Sequence, residues 1–253
     1  MWLILYSNYI YLPLVPPTYL LMKLKYFGWA ILLLLILTNI WAIFTDSLWL
    51  ENTTYIFYFV CAVLLVLDKY KKFDRYMFAF IGFTLLSYMV RYMDGAYYSN
   101  EISLLFLSAA NIFLIFSATK FIEIKNASIY MLLYFIVIVG INGGLLGYHV
   151  MEIKEFINSN LTFSIYILYY VNLLILGIIA FIYYLNSYSK KSMYFISLSL
   201  GIIFADILRD MGVFFPQDLS VEVAESIIRM GCAVFAVLFF VTKEKQLRLL
   251  NLI

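Results

Sequence analysis

Eight apolar stretches, most of them near the roughly 20 residues that a membrane-spanning helix needs, fill this sequence and leave it little choice of fold. They run near Phe27–Phe44, Tyr55–Leu67, Tyr76–Tyr92, Ile102–Ala118, Ser128–Tyr148, Phe163–Tyr184, Met193–Phe215 and Val221–Val241. The second is short at these limits, and extending it through Asn52, Thr53 and Thr54 brings it to length. Of the 253 residues, 65% are hydrophobic and only 13% charged. Soluble domains carry about 45–50% apolar and 25% charged residues, so the expected environment is a bilayer.

Charge sets the orientation. One class of loops holds Lys23 and Lys25; Lys69, Lys71, Lys72 and Arg75; Lys120 and Lys125; Lys190 and Lys191; and Lys243, Lys245 and Arg248. The alternate loops are acidic, with Asp46, Glu51, Asp94, Glu101, Glu152, Glu155, Asp218 and Glu222. By the positive-inside rule the basic side is cytoplasmic, which places both termini there, as an even number of spans also requires. The expected fold is therefore an all-α bundle of about eight transmembrane helices with both ends inside, in a bacterial inner (plasma) membrane.

Three regions follow. Residues 1–22 form an apolar extension broken by Pro13, Pro16 and Pro17. It reads as loosely ordered, or as preceding a translation start at Met22, with a ninth span as the alternative. No basic n-region marks it as a signal peptide. Residues 23–243 form the bundle, and 244–253 a short basic tail suited to the anionic inner leaflet. The net charge of +2 and the lack of long basic runs exclude a nucleic-acid partner. Cys61 and Cys232 lie inside apolar runs as packing residues, and no spacing suggests a metal or other cofactor.

The charges that do occur inside apolar runs carry the functional argument. Asp206, Arg209 and Asp210 interrupt the seventh stretch, and Glu225 and Arg229 the eighth. An ionisable group at the bilayer centre costs roughly 2.5–3.5 kcal/mol on insertion scales, so it turns toward the bundle interior and finds partners. The i, i+3 and i+4 spacings put each set on one helix face. Counting from Lys191, Asp206 lies about 15 residues, or ~22 Å, along its helix, in the outer half of the bilayer. Arg91 ends the third stretch at that depth and His149, the only histidine, ends the fifth. These groups are expected to line one outward cavity, with Asn111, Asn142 and Asn172 as uncharged polar groups. Three acids face two arginines there, so one carboxylate is expected to lack a basic partner unless Arg91 reaches it. The bland alternative is a set of ion pairs that clamps helices together. His149 is expected at the interface. Gly143, Gly144 and Gly147 read as a close-packing or kinking site, and Gly201, Gly231, Ala233 and Ala236 as points of close helix approach.

Three short motifs resemble the YhhN-like lysoplasmalogenase family. The run Leu200-Gly201-Ile202-Ile203-Phe204-Ala205-Asp206-Ile207-Leu208 is similar to the seventh-helix motif of that family, with Ala205 in place of its serine. Gly82-Phe83-Thr84-Leu85-Leu86-Ser87-Tyr88 is similar to its third-helix motif, with Tyr88 at the position of an aspartate. Ala110-Asn111 stands where the family has an Ala-His pair. The early Lys-Pro and late Tyr and Gln of the family have no counterpart. The resemblance implies eight spans, cytoplasmic ends and hydrolysis of a vinyl-ether lysolipid or other lysophospholipid without a cofactor. It implies Asp206, Asp210 and Glu225 as acid–base candidates. Arg209, Arg229, Arg91, Asn111 and Tyr88 are then candidates for holding the substrate. The expected partner is a membrane lipid or amphiphilic small molecule. The alternatives are a non-catalytic binding or transport protein, and a structural or sensory subunit with charges paired across helices.

Overall fold

The computed structural model describes residues 17–65, 74–92, 98–122, 129–157, 159–215 and 218–245; side chains are described for these except 17–25, 129–132, 134, 135 and 138. The described chain is helical and holds no strand, with eight helices: α1 (Pro17–Phe44), α2 (Leu48–Leu64), α3 (Arg75–Arg91), α4 (Ser99–Thr119), α5 (Ile129–Lys154), α6 (Asn160–Ser187), α7 (Lys190–Phe214) and α8 (Leu219–Val241). Among the described residues, five of these are long and apolar enough to cross a membrane: α1 from Tyr26 on, α4, α6, α7 and α8. α2 and α3 have 17 residues each, the low end of what a span requires. Large apolar side chains point outward, among them Trp29, Leu33 and Trp41 on α1 and Ile136, Val137 and Ile141 on α5. In water such a surface would aggregate, whereas in lipid it is the solvated face. The chain is a helical membrane protein.

Local signals explain the helix limits. Pro17 opens α1, where its missing N–H costs nothing, so the N-terminal extension is helical from that residue; residues 1–16, with Pro13 and Pro16, lie outside the described residues. The same holds for Lys69, Lys71, Lys72, Asp94, Lys125 and Arg248. Asp74 caps α3 by accepting the Tyr76 N–H, and Asp218 caps α8 by accepting that of Ser220. A reciprocal pair, Ser189 with Ser192, caps α7, satisfying two otherwise orphaned N–H groups. α5 runs unbroken through Gly143, Gly144 and Gly147.

The closest associations join helices consecutive in the chain. α7 packs most extensively on α8 and α3 on α4; α6 bridges α4 and α7, and the α1–α2 pair lies against α8. α5 joins chiefly through α6. Gly201 permits the α7–α8 approach, since a Cβ there would lie 2.6 Å from the Cys232 Sγ. Gly231, Gly144 and Gly147 have no neighbour within 4 Å of a built Cβ, so the expectation that they mark close contacts is corrected; of the glycines singled out in the sequence, Gly201, and more loosely Gly143 against Leu174 at 3.6 Å, serve that purpose. Between α1, α2 and α8, Asn39 donates to Thr54 Oγ1 at 2.5 Å and accepts from Ser226, a buried polar clasp of the kind that substitutes for hydrophobic association in lipid. The apolar core falls into two clusters. A large one gathers Tyr58, Phe80, Leu114, Tyr183, Phe195 and Phe239, and a smaller one Leu104, Leu146, Ile153, Tyr169 and Leu173.

Candidate functional site

The five intramembrane charges converge. Asp206 and Asp210 are 1% and 0% exposed, and Glu225 and Arg229 are buried beside them. They form one alternating chain across α7 and α8. Asp210 Oδ1 accepts from Arg209 Nε at 2.9 Å. The same guanidinium donates from Nη1 to Asp206 Oδ1 at 3.1 Å. Arg229 Nη2 donates to that oxygen at 3.1 Å from the opposite side, and Arg229 Nε donates to Glu225 Oε1. A charge buried without its counter-ion is severely penalised. The order acid, base, acid, base, acid gives every ion a neighbour of opposite sign.

Tyrosines close the carboxylates on their other side. The hydroxyls of Tyr169 and Tyr170 on α6 donate to Asp206 Oδ2 and Asp210 Oδ2, the latter at 2.5 Å. Tyr55 on α2 donates to Glu225 Oε2 at 3.2 Å. Two helices, α6 and α2, thus bring one hydroxyl to each acid, and none of these tyrosines stood out in the sequence, where the abundance of Tyr hides them. The expected unpartnered carboxylate does not occur: two arginines are shared among three acids, because Asp206 takes both. Arg91 is directed elsewhere, donating from Nε to Ser103 Oγ at 3.2 Å, where Ser103 also pairs with Ser87 at 2.7 Å.

Arg209, Asp210 and Glu225 of this chain floor a polar vestibule of about 390 Å³ at the end of the bundle where α1 meets α2, α3 meets α4 and α7 meets α8. Arg91, Arg209, Asp210 and Glu225 line its depth, and Asp46, Glu51 and Glu222 its walls. Asp46 reaches this position from a left-handed turn, with φ 51°. Asp206 and Arg229 do not open into the vestibule. They face a second, 50 Å³ cavity inside the bundle, together with Asn111, Tyr88 and Tyr169. Tyr88 stacks on Tyr55 with centroids 5.5 Å apart and lies toward Arg229. Asn111 Nδ2 is buried there with no hydrogen-bond partner among the described residues.

The site residues named from the sequence therefore divide between two compartments. His149 belongs to neither: it lies within α5, faces a groove between α5, α6 and α7, and meets the ring of Tyr170 edge-on at 5.4 Å. The expectation that it ends its helix is corrected, since α5 continues to Lys154. Asn172 donates to the Ser108 carbonyl at 2.9 Å, joining α6 to α4, and Asn142 lines the same groove as His149. Among the described residues no group of three or more His, Cys, Asp or Glu side chains is placed to hold a metal ion.

Chemically, the vestibule combines two guanidinium groups with several carboxylates within one cavity. Guanidinium suits phosphate through paired N–H donors, and carboxylates suit ammonium. The arrangement matches a zwitterion better than an ion of either sign. Compared with protein-family models, curated proteins and solved structures, the chain finds no match.

Proposed function

We propose that this protein binds the zwitterionic headgroup of a lysophospholipid in the vestibule and hydrolyses that lipid, as its resemblance to the YhhN-like lysoplasmalogenases implies. The observation that carries the reading is the coexistence of Arg91 and Arg209 with Asp46, Glu51 and Glu222 around one 390 Å³ cavity. Arg91 takes the phosphate, Arg209 adds its positive field from within its pairing with Asp206 and Asp210, and the wall carboxylates take the ammonium. Asp210 and Glu225 are the acids that reach the cavity, so they are the candidates for delivering a proton and for orienting water. For a vinyl ether, the proton goes to the vinyl carbon and water adds to the carbon bearing oxygen, releasing an aldehyde and a glycerophospho-alcohol. Asp206 and Arg229 act behind them as positioning residues, holding Arg209 and Glu225.

The same reading places all eight helices across the membrane with both termini cytoplasmic, in a bacterial inner membrane. Arg75, Lys120, Lys190 and Lys243 lie at the end opposite the vestibule by the order of the helices, which supports an outward-facing cavity. One observation favours a second reading, a binding protein without catalysis. Asp206, Asp210 and Glu225 each already have an arginine and a tyrosine as partners, as a structural clamp would require.

The discriminating experiment follows aldehyde release from a defined lysoplasmalogen and fatty-acid release from an ester lysophospholipid by the purified protein. Asp210→Asn, Glu225→Gln and Asp206→Asn are run beside it. Turnover that disappears in Asp210→Asn or Glu225→Gln while the protein stays folded establishes the enzyme. Binding of either lipid without turnover leaves the binding-protein reading, and neither binding nor turnover sinks both.

A further inference from the structure

With the paired ions set aside, the vestibule keeps one cation and three anions. Arg209 and Asp210 are paired with each other, and Glu225 with Arg229. Arg91 commits only its Nε, to Ser103, and its two Nη groups make no hydrogen bond among the described residues. Asp46, Glu51 and Glu222 likewise make no side-chain hydrogen bond or ion pair among the described residues. Asp46 stands in the turn before α2, Glu51 in the first turn of α2 and Glu222 in the first turn of α8. The charges of Arg91, Glu222 and Glu225 all act on Glu51, and that of Asp46 acts on Glu222. The acids therefore crowd together, close to the one open guanidinium.

Beside them lies Asn52, 8% exposed, which lines the vestibule and has no side-chain hydrogen-bond partner among the described residues. Unlike the amide of Asn111, its amide keeps a surface open to the cavity. A largely buried amide without a partner is expensive, and a guest that donates a hydrogen bond to its Oδ1 relieves that cost. A primary ammonium has three N–H donors and no acceptor, which suits carboxylate oxygens joined by an amide oxygen. A quaternary ammonium has no donor and is recognised instead by a cage of aromatic faces. Among the described residues lining the vestibule, Tyr166 is the single aromatic, and its ring packs edge-on against Phe214 at 5.7 Å. A trimethylated nitrogen would leave Asn52 and the acids without a hydrogen bond and find one ring in place of a cage.

We propose that the vestibule selects a primary-ammonium head, of the phosphoethanolamine kind, over a trimethylammonium one. Glu51, Glu222 and Asn52 Oδ1 seat the ammonium, Asp46 adds its charge from the exposed rim, and Arg91 holds the phosphate. This selection rests on the lysophospholipid reading above and adds to it the residues that choose the head. A phosphoserine head fits less well, because its extra carboxylate would face the same acids, and like charges brought together cost affinity.

The test is native mass spectrometry of the full chain in detergent, titrated with lysolipids that share one chain and differ only in the head. A saturated 1-O-alkyl chain, which has neither an ester nor a vinyl ether, keeps binding separate from turnover. The phosphoethanolamine lipid should bind about tenfold or more tightly than the phosphocholine lipid, the worth of at least one charge-assisted hydrogen bond. The N-methyl and N,N-dimethyl forms should fall in between, and the phosphoserine lipid should bind more weakly than the phosphoethanolamine lipid. Glu51→Gln with Glu222→Gln should remove most of the preference and Asn52→Leu part of it, whereas Arg91→Gln should weaken both lipids and keep their ratio. Equal affinity for the two heads in the unaltered protein, or a preference that survives the double substitution, would overturn this selection and leave the hydrolase reading to its own assay. Binding of none of these lipids would overturn both. Discrimination between heads by a protein that releases neither aldehyde nor fatty acid would uphold the selection and leave binding without catalysis.

Discussion

The two halves of α7 pack against the same two helices and hold them by opposite means. In its first half, Phe195 lies between Tyr183 of α6 and Phe239 of α8, with ring centroids 5.7 and 5.0 Å away. In its second half, Asp206 lies between Tyr169 of α6 and Arg229 of α8, joined by hydrogen bonds and an ion pair. Roughly 16 Å of helix separates them at 1.5 Å per residue. The aromatic half relies mainly on shape, since its ring contacts carry no charge and its one polar atom, the Tyr183 hydroxyl, donates to Glu244. The charged half needs exact pairing, because each ion there has given up water. What the comparison teaches is that similar helix contacts are specified by packing at one end and by charge order at the other.

The largest expected effect comes from breaking that order. Arg229→Met leaves Asp206 and Glu225 short of a counter-ion and should cost about 3–5 kcal/mol, measured by unfolding in detergent. Replacing Asp206, Glu225 and Arg229 together by apolar residues should cost less than Arg229→Met alone, since no ion among them is then left unpaired. The reverse ranking would show that the pairing does not govern this half.

In the aromatic half, Phe195→Ala should cost about 3 kcal/mol, the low end for removing a large core ring, because lipid offers little transfer term between helices. Its loss should be insensitive to salt and pH. A smaller effect belongs to the seam joining the two halves. Gly201→Ala should cost about 1–3 kcal/mol by overpacking against Cys232, and Cys232→Ala in the same chain should recover most of it. Failure of that rescue would place the strain elsewhere.

The smallest effect is the pH response of the α8 cap. Asp218 is exposed at the helix start, and the hydroxyl and backbone N–H of Ser220 hold its pKa below the ordinary carboxylate value. A group whose folded pKa is depressed contributes stability at neutral pH and loses it as pH falls through the folded value. Asp218→Ala should therefore slightly flatten the acid limb of a melting-temperature profile and leave its neutral plateau a little lower.

Much of this was legible in the chain. The charged groups of α7 and α8 were expected to share a face and a depth from spacing alone, and they do meet. Their tyrosine partners were not legible, because Tyr169, Tyr170 and Tyr55 sit among 23 tyrosines in helices far apart in sequence. Nor was the division between the vestibule and the small inner cavity. Both Asp206 and Asp210 read as facing one space, and one turn of helix is enough to put them in two. The fifth stretch read as ending near His149 because Glu152 and Lys154 follow it, whereas α5 continues to Lys154.

By itself the sequence determined that the chain is helical and membrane-embedded, since long apolar runs admit no other way to satisfy the backbone in lipid. It also determined that buried charges of both signs must find one another, since none can stay single at that depth. Only the tertiary structure decided which carboxylate receives two arginines, which tyrosine closes each acid, and that α5 stands off to leave a groove. Those outcomes depend on how helices rotate and lean against neighbours. Packing between elements distant in sequence sets that rotation, and the periodicity within a single helix does not encode it.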